Sequence, residues 1–353
     1  MVKTYRLIVE KLDSSTGRAE GRWGNQHYKV IFGANSRVTL GSFVRFRGEV
    51  SEDAIACTEL CEVREGHPLG QKTLECEYAW LLSALRSRLT DAIELRPPSI
   101  SLGMAKDSFM FDYFGKVARL LGSHALYCTL GAIRYGRCYS VARVFRRETA
   151  VSSRHLREFD LFQYGALDAD VGECMDFTEG VLRSLYRDAE SAWSCSCSLK
   201  LPDDPFARIS WDDLRRQTPL TVSDDNVASC ENVFLKDLWR KCPLPVFVTE
   251  IPSRFASWTA SRDGRDRTTT FNLIAPNIGE LAEGSRRNTR VSELRERLCN
   301  SNALCRQFDW YFTGLTYEDI PVSVVGVGVE RMAMWLFGVS EIARIRPFTS
   351  ACA

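Results

Sequence analysis

Runs that read as strands and runs that read as helices do not alternate along this chain, and that order constrains its fold more than any single residue does. A doubly wound parallel sheet needs strand and helix in regular succession. Residues 4 to 65 instead hold five short strand-like runs: YRLIVEKL, GRAEGRWG, HYKVIF, SFVRFRGEV and AIACTELCEV. Each alternates partially between apolar and polar residues, with Gly, Ser, Asn and Asp between the runs. Five such strands suit a small β-barrel of the OB type. HPLGQ, near residues 67 to 71, reads as a linker. In LECEYAWLLSALRSRLTDAIEL the period becomes helical, with Tyr78, Leu81, Leu82, Leu85, Leu89 and Ile93 on one face and Pro97-Pro98 as the stop. VGECMDFTEGVLRSLYRDAESA and DDNVASCENVFLKDLWRKC read as two more helices. Strand-like runs return at CYSVARVF, PVFVTEI, TTTFNLIA and VSVVGVGV, and MAMWLFG follows the last as an apolar helical turn. The expectation is an α+β chain: an OB-like barrel over 1–66, then a mixed or antiparallel sheet flanked by helices over 67–353.

Composition narrows the partners. The 353 residues carry a net charge of +1, so no global field draws the chain to nucleic acid or to an anionic membrane. An RNA partner would need a local basic patch. Arginine far outnumbers lysine, which suits binding of phosphate and carboxylate by planar forks. MVKTYRLIVEKLDSS has no apolar core of signal-peptide length, and no run approaches a membrane span. The 13 cysteines are odd in number and scattered without metal-ligand spacing. Reduced thiols in a cytoplasmic protein, mostly buried, are the reading.

Charge is concentrated where it is least expected. VFRRETAVSSRHLREF sets Arg146, Arg147, Arg154 and Arg157 beside Glu148, Glu158 and His155, directly after the apolar run CYSVARVF. A solvated hairpin and a polyanion site both fit that pattern.

Two further stretches favour the second reading. FNLIAPNIGELAEGSRRNTR and GVGVERMAMWLFGVSEIARIRPF follow in order, and the three together resemble the catalytic core of class II aminoacyl-tRNA synthetases, most closely the asparaginyl and aspartyl branch. The family patterns look like F-R-x-E…R-H-x-x-E-F, A-P-x-I-G-E…G-S-x-R and G-x-G-x-E-R. AIELRPPSI resembles the family's proline-bearing dimer motif, which implies a homodimer. The resemblance spans roughly residues 70 to 348 and implies an antiparallel sheet flanked by helices.

It also implies roles. Activation of a carboxylate by ATP requires the triphosphate to be held and its charge neutralised. Arg146 would grip the α-phosphate and the incoming carboxylate, and Arg331 the γ-phosphate at the start of the last helix. Gly326 and Gly328 would let the backbone pass close to the nucleotide. Glu148 would accept a hydrogen bond from the adenine amino group, Phe159 would stack on the purine, and Arg154 and His155 would contact phosphates. Glu280 and Asn272 would bind Mg²⁺, with Ser285 nearby. Ser123, Ala125, Thr129, Gln163, Gly284 and Arg287 would face the acyl substrate.

The departures from the pattern fall mainly on that substrate side. Ala125 replaces a glutamine, and Thr129 replaces the residue that senses the substrate side chain. The acid that grips the α-ammonium falls on Gln163. Arg287 stands where the family reads a side-chain carboxylate or amide. Asn272 replaces an aspartate, and the arginine usual after the final proline is missing, since Pro347 is followed by FTS. A buried ammonium without a carboxylate partner is costly. The leading expectation is therefore an ATP- and Mg²⁺-dependent ligase that adenylates a small carboxylate and passes the acyl group to an amine or ammonia. One alternative is an asparaginyl- or aspartyl-tRNA ligase, for which the barrel would offer tRNA a surface. The other is a non-catalytic paralogue that binds ATP or RNA.

Overall fold

The computed structural model describes residues 2–23, 26–32, 36–39, 42–51, 53–64, 74–103, 108–147, 152–193, 201, 203–216, 244–264, 266–298 and 306–346. The linker expected at 67 to 71, the helix expected over DDNVASCENVFLKDLWRKC, and Glu148 lie outside these residues. The chain divides into two compact units, Met1–Thr73 and Leu74–Ala353.

The first unit is a closed barrel of five strands, β1 (Lys3–Asp13), β2 (Arg18–Trp23), β3 (Gln26–Ile31), β4 (Phe43–Val50) and β5 (Ile55–Arg64). Around the barrel the order is β1-β2-β3-β5-β4, as expected of an OB-type barrel. Alternation along β1 and β4 sends Leu7, Val9, Val44 and Phe46 inward, where they pack with Val30 and Phe32. Closure leaves no long unpaired edge. Gly21 is required by crowding: a Cβ there would lie 2.0 Å from the Ile8 carbonyl oxygen.

The second unit is built on an eight-stranded sheet ordered β12-β13-β14-β15-β16-β11-β10-β6. In chain order these are β6 (Ile93–Glu94), β10 (Arg137–Phe145), β11 (Glu158–Leu167), β12 (Ala207–Ser210), β13 (Val246–Thr249), β14 (Thr270–Ala275), β15 (Gly279–Arg286) and β16 (Val322–Gly328). Only β6–β10 and β12–β13 pair in parallel; the core of the sheet is antiparallel. A separate three-stranded sheet joins β7 (Ile100–Leu102), β8 (Met110–Tyr113) and β9 (Lys116–Leu120) in the order β7-β9-β8. The helices are α1 (Leu74–Ser87), α2 (Ala125–Tyr135), α3 (Val171–Trp193), α4 (Trp211–Arg216), α5 (Val291–Leu298), α6 (Asp309–Gly314) and α7 (Val329–Phe337). The expected α+β architecture is what the chain adopts.

Strand parity sorts the two faces of the sheet. Phe162 and Tyr164 of β11 and Val325 and Val327 of β16 pack with Leu81 and Leu85 of α1, Leu182 and Leu185 of α3, and Met332 of α7 in the main core. The opposite face of the same strands carries Gln163, Gly326 and Gly328, and beside them Cys138, Val322 and Val324 pack against Cys128 and Ala132 of α2. A single cross-strand row on this face runs Asn272, Glu283, Gly326, Gln163, Ser140. A β-bulge between β14 and β15 pairs Ile274 with Glu280 and Leu273 with Ala282, leaving Leu281 as the extra residue. Glu280 and Glu283, three apart, would otherwise point to opposite faces; the bulge puts both on this one.

Two expectations need correction. The first helix ends at Ser87, well before Pro97-Pro98, and Ile93 is 52% exposed rather than on its apolar face. Ile93 and Glu94 leave the helix because they pair in parallel with Cys138 and Tyr139. Among the described cysteines, Cys128, Cys138 and Cys174 are buried, but Cys61 and Cys76 are exposed. Among the described residues no helix is long and apolar enough to cross a membrane.

Candidate active site

A cavity of about 460 Å³ opens on the α2 face of the sheet. Arg146 and Arg331, 185 positions apart in the chain, both line it, together with Ser123, Ala125, Arg154, His155, Phe159, Gln163, Glu280, Gly284, Ser285, Arg287 and Gly328. Thr129 does not line it. It faces into the interior, where its hydroxyl donates to the Ala125 carbonyl one turn back at 2.9 Å. Asn272 is not on the wall either; it lies behind it, its Nδ2 donating to Glu280 Oε2 at 3.4 Å.

One end of the cavity is built from four segments. Arg146 follows β10, and its guanidinium lies 5.3 Å from the centre of the Phe159 ring on β11. Arg331 sits in the first turn of α7, with Nη1 donating to the Glu280 carbonyl and Nε to the Arg154 carbonyl at 3.3 Å. Arg154 approaches Gly279 so closely that a Cβ there would stand 3.1 Å from its Nη1, and Gly279 has φ +82°. His155 is exposed at the rim, its Nδ1 2.6 Å from Ser152 Oγ. Beyond Gly328 the space is open: a Cβ would meet only the Arg331 side chain, at 3.7 Å. Burial pushes the Glu280 carboxyl up, the neighbouring Glu283 carboxylate adds to this, and Arg331 and Arg146 oppose it.

The other end lies along β15 and beyond it. Arg287 is 8% exposed; its Nη1 donates to Thr259 Oγ1 at 2.7 Å, while its Nε has no hydrogen-bond partner among the described residues. At 3.3 Å per residue it stands about 13 Å from Glu283 along the strand direction. Between the two ends, Gln163 is buried and bonded at both ends of its amide. Its Oε1 accepts from the His124 backbone N–H at 2.5 Å and its Nε2 donates to Ser123 Oγ at 3.1 Å.

Three lining residues carry chemistry that sequence reasoning missed. Glu283 is invisible without the bulge. Arg119, on β9, reads in sequence as one more charge in an exposed strand, yet it is 8% exposed and lies 5.6 Å from the centre of the Phe308 ring. Glu330 is 1% exposed at the end of the cavity that holds Arg331; the E-R pair in GVGVERM was the one available signal.

A divalent cation can be tested against this wall. Glu280 and Glu283 repel one another, and the buried Asn272 Oδ1 has no hydrogen-bond partner among the described residues. Two carboxylates and an orphaned carboxamide oxygen form a hard donor set that fits Mg²⁺. Among the described residues there is no group of three or more His, Cys, Asp or Glu that would hold a metal alone.

Known proteins resemble this arrangement. An asparagine--tRNA ligase of Lactococcus lactis subsp. cremoris is 26% identical over 284 residues, 72% of this chain and 62% of that protein. One from Pyrococcus abyssi is 26% identical over 279 residues, 73% and 63% respectively. The chain thus spans about three fifths of the length of these relatives. Among solved structures, Entamoeba histolytica asparaginyl-tRNA synthetase in complex with asparaginyl-adenylate superposes with a TM-score of 0.76 at 18% identity, covering 100% of this chain and 96% of that one. The Pyrococcus horikoshii enzyme complexed with asparaginyl-adenylate gives 0.75 at 20% identity, with the same coverage. The family model described as tRNA synthetases class II (D, K and N) matches residues 101–351. With Arg146 and Arg331 on one cavity wall and this match over most of its length, the chain belongs to the class II tRNA synthetases of the D, K and N group.

Proposed function

We propose that this chain is an ATP-dependent ligase that joins a carboxylate to AMP and transfers the acyl group to tRNA, as its relatives named asparagine--tRNA ligase do. One observation carries the adenylation reading: Arg146, Phe159, Glu280 and Arg331 line a single cavity. The carboxylate oxygen attacks the α-phosphorus, a P–O bond forms, the bond to pyrophosphate breaks, and pyrophosphate takes the electron pair. No side chain need act as base, because the nucleophile is already ionised. Arg146 neutralises charge at the α-phosphate and Arg331 at the far phosphate. Each works through charge-assisted hydrogen bonds of about 1.5–3 kcal/mol. Phe159 holds the purine, and Arg154 and His155 close the rim. Glu280 and Glu283, with the oxygen of Asn272, would hold Mg²⁺, which supplies charge neutralisation on the triphosphate.

The relatives favour tRNA over ammonia or a small amine as acceptor, which reverses the order that the sequence alone suggested. A second reading keeps the chemistry and changes the acyl substrate. Gln163 is neutral and spends both ends of its amide on His124 and Ser123, so it supports no ion pair to an α-ammonium. On that reading the chain is a biosynthetic ligase. Its homodimer would use the surface around AIELRPPSI, where Ile93, Ile100 and Leu102 are exposed.

ATP–pyrophosphate exchange with asparagine and aspartate, followed by charging of total tRNA with whichever supports it, tests both. Exchange followed by charging is the expected result. Exchange without charging would leave the second reading, and absence of exchange with any carboxylate would overturn the adenylation reading.

A further inference from the structure

The end of the cavity remote from Arg146 has an apolar wall that the adenylation chemistry does not use. Leu126, Trp258 and Phe308 line it, and Ala125, at the start of α2, adds only a methyl group. The Trp258 and Phe308 rings lie 5.1 Å apart, centre to centre, tilted by 51°. Phe308 is a buried member of the apolar cluster that holds Tyr311 and Phe312. Leu126 and Trp258 pack against that cluster and stay partly exposed. The Trp258 backbone is fixed as well, its carbonyl accepting from Arg297 Nη1 at 3.0 Å. The wall is thus held by packing behind it and needs nothing in the cavity to keep its shape.

What reaches this wall follows from the chemistry at the other end. On the adenylation reading Arg146 holds the reacting carboxylate, so the body of the acyl substrate projects past Gln163 and Ala125 toward Trp258 and Phe308. No acid lies along that path among the described residues: the lining carboxylates, Glu280, Glu283 and Glu330, stand near the end that holds Arg331. Gln163 spends both ends of its amide on His124 and Ser123. A carboxamide laid on aromatic and leucine side chains leaves their surface facing water, whereas an apolar group removes both surfaces from water at once. Aromatic rings gain further from one another when tilted or offset, as Trp258 and Phe308 already are. Charge at this end does not oppose a ring. Guanidinium groups lie well over aromatic faces, as Arg119 does 5.6 Å from the centre of the Phe308 ring.

We propose that the acyl substrate ends in an apolar group of aromatic size, larger than the carboxamide of asparagine, and that Leu126, Trp258 and Phe308 hold it. The inference rests on the adenylation reading of this cavity but is independent of the acceptor. It departs from the relatives, whose printed substrate is asparagine. Trp258 and Leu126 are specificity-determining residues that touch the substrate's far end, not the reacting atoms.

Pairs that differ only by a phenyl ring in place of a carboxamide decide it. Pyrophosphate exchange is measured with phenylalanine against asparagine and with hydrocinnamate against succinamate, the second pair lacking the amine. The expected result is a kcat/KM at least about tenfold higher for the phenyl compound in whichever pair is accepted, the scale on which an apolar pocket reads a single methylene. Trp258→Ala should reduce that ratio by about tenfold, through KM for the phenyl compound, with KM for ATP unchanged. Ala125→Leu fills the same space from α2 and should lower the ratio too. Equal or better use of the carboxamide, or a ratio unchanged in both variants with ATP binding intact, overturns the proposal. If no compound supports exchange, calorimetric titration of the same pairs in the presence of a non-hydrolysable ATP analogue separates the two ideas. Phenyl-selective binding without exchange refutes adenylation alone, and unselective or absent binding refutes this proposal.

Discussion

The Glu330 carboxylate accepts two hydrogen bonds from the Asp160 backbone N–H, at 3.0 and 3.1 Å. Glu330 is the neighbour of Arg331 and Asp160 the neighbour of Phe159, so this contact ties the backbones that carry these two cavity-lining side chains to one another. Tyr78 of α1 donates to Asp160 Oδ2 at 2.7 Å and to Glu330 Oε1 at 3.2 Å, and Arg346 pairs with both acids. The arginine missing after Pro347 has a counterpart just before it, although it faces this buried cluster.

Breaking that cluster from the cationic side should be severe. Arg346→Met leaves Asp160 and Glu330 without their buried counter-ion, and a loss of about 3–5 kcal/mol in unfolding free energy is expected. Urea titration followed by tryptophan fluorescence measures it. A loss below about 1 kcal/mol would mean that the pair is not a buried one in solution.

The same cluster gives stability a pH dependence. Burial above all pushes the Glu330 carboxyl up to about 7 from its ordinary 4.5, against the pull of Arg346. The folded chain therefore holds this proton more tightly than the unfolded chain does. The stability it contributes is complete below about 4.5 and is lost as pH rises through about 7. Wild type should lose on the order of 3 kcal/mol relative to Glu330→Gln between pH 5 and pH 8. Parallel denaturation curves for the two proteins at both pH values would refute it.

Activity should show a different acid limb. Glu280 is raised by burial and by Glu283, so it protonates at higher pH than an ordinary carboxyl. ATP-dependent exchange should fall early on acidification. At saturating Mg²⁺, Glu283→Gln should move that limb to lower pH, because the one charge that raises Glu280 is gone, while the Mg²⁺ concentration needed for half-maximal rate rises. A limb that stays in place would detach Glu283 from the site.

Two glycines on neighbouring strands should respond in opposite ways. A Cβ at Gly284 would lie 2.4 Å from the Phe271 ring in the main core. Gly284→Ala should cost about 1–3 kcal/mol of stability. Gly328→Ala meets only Arg331 at 3.7 Å and should leave stability near wild type. It places a methyl group where the nucleotide is expected, so KM for ATP should rise several-fold. Thermal melts and exchange kinetics on both variants check the contrast.

Periodicity carried most of the fold. The apolar faces of α1 and α3, the strand parity of β11 and β16 and the five barrel strands all follow from side-chain spacing, because burial on one face leaves a repeating trace. What failed was local competition. Residues 88 to 92 continue the helical period in sequence, but Ile93 and Glu94 gain more from pairing with β10, and nothing within the segment announces its partner. That Arg146, Glu280 and Arg331 share one cavity was legible because they sit in contiguous motifs. Arg119 and Glu283 were not, since the burial of one and the orientation of the other depend on Phe308 and on a register shift. Thr129 shows the converse error: a position aligned to a pocket can turn its hydroxyl into its own helix.

The extra residue at Leu281 gives the site an unusual fragility. Deleting it would shorten the chain by a single leucine and restore an even pleat through β15. Glu280 would then swing to the helix-packed side while Glu283, Ser285 and Arg287 kept their stations. The arrangement depends on counting as much as on identity: a deletion at the very next position could turn Glu280 away from the cavity without altering one of the groups that bear chemistry.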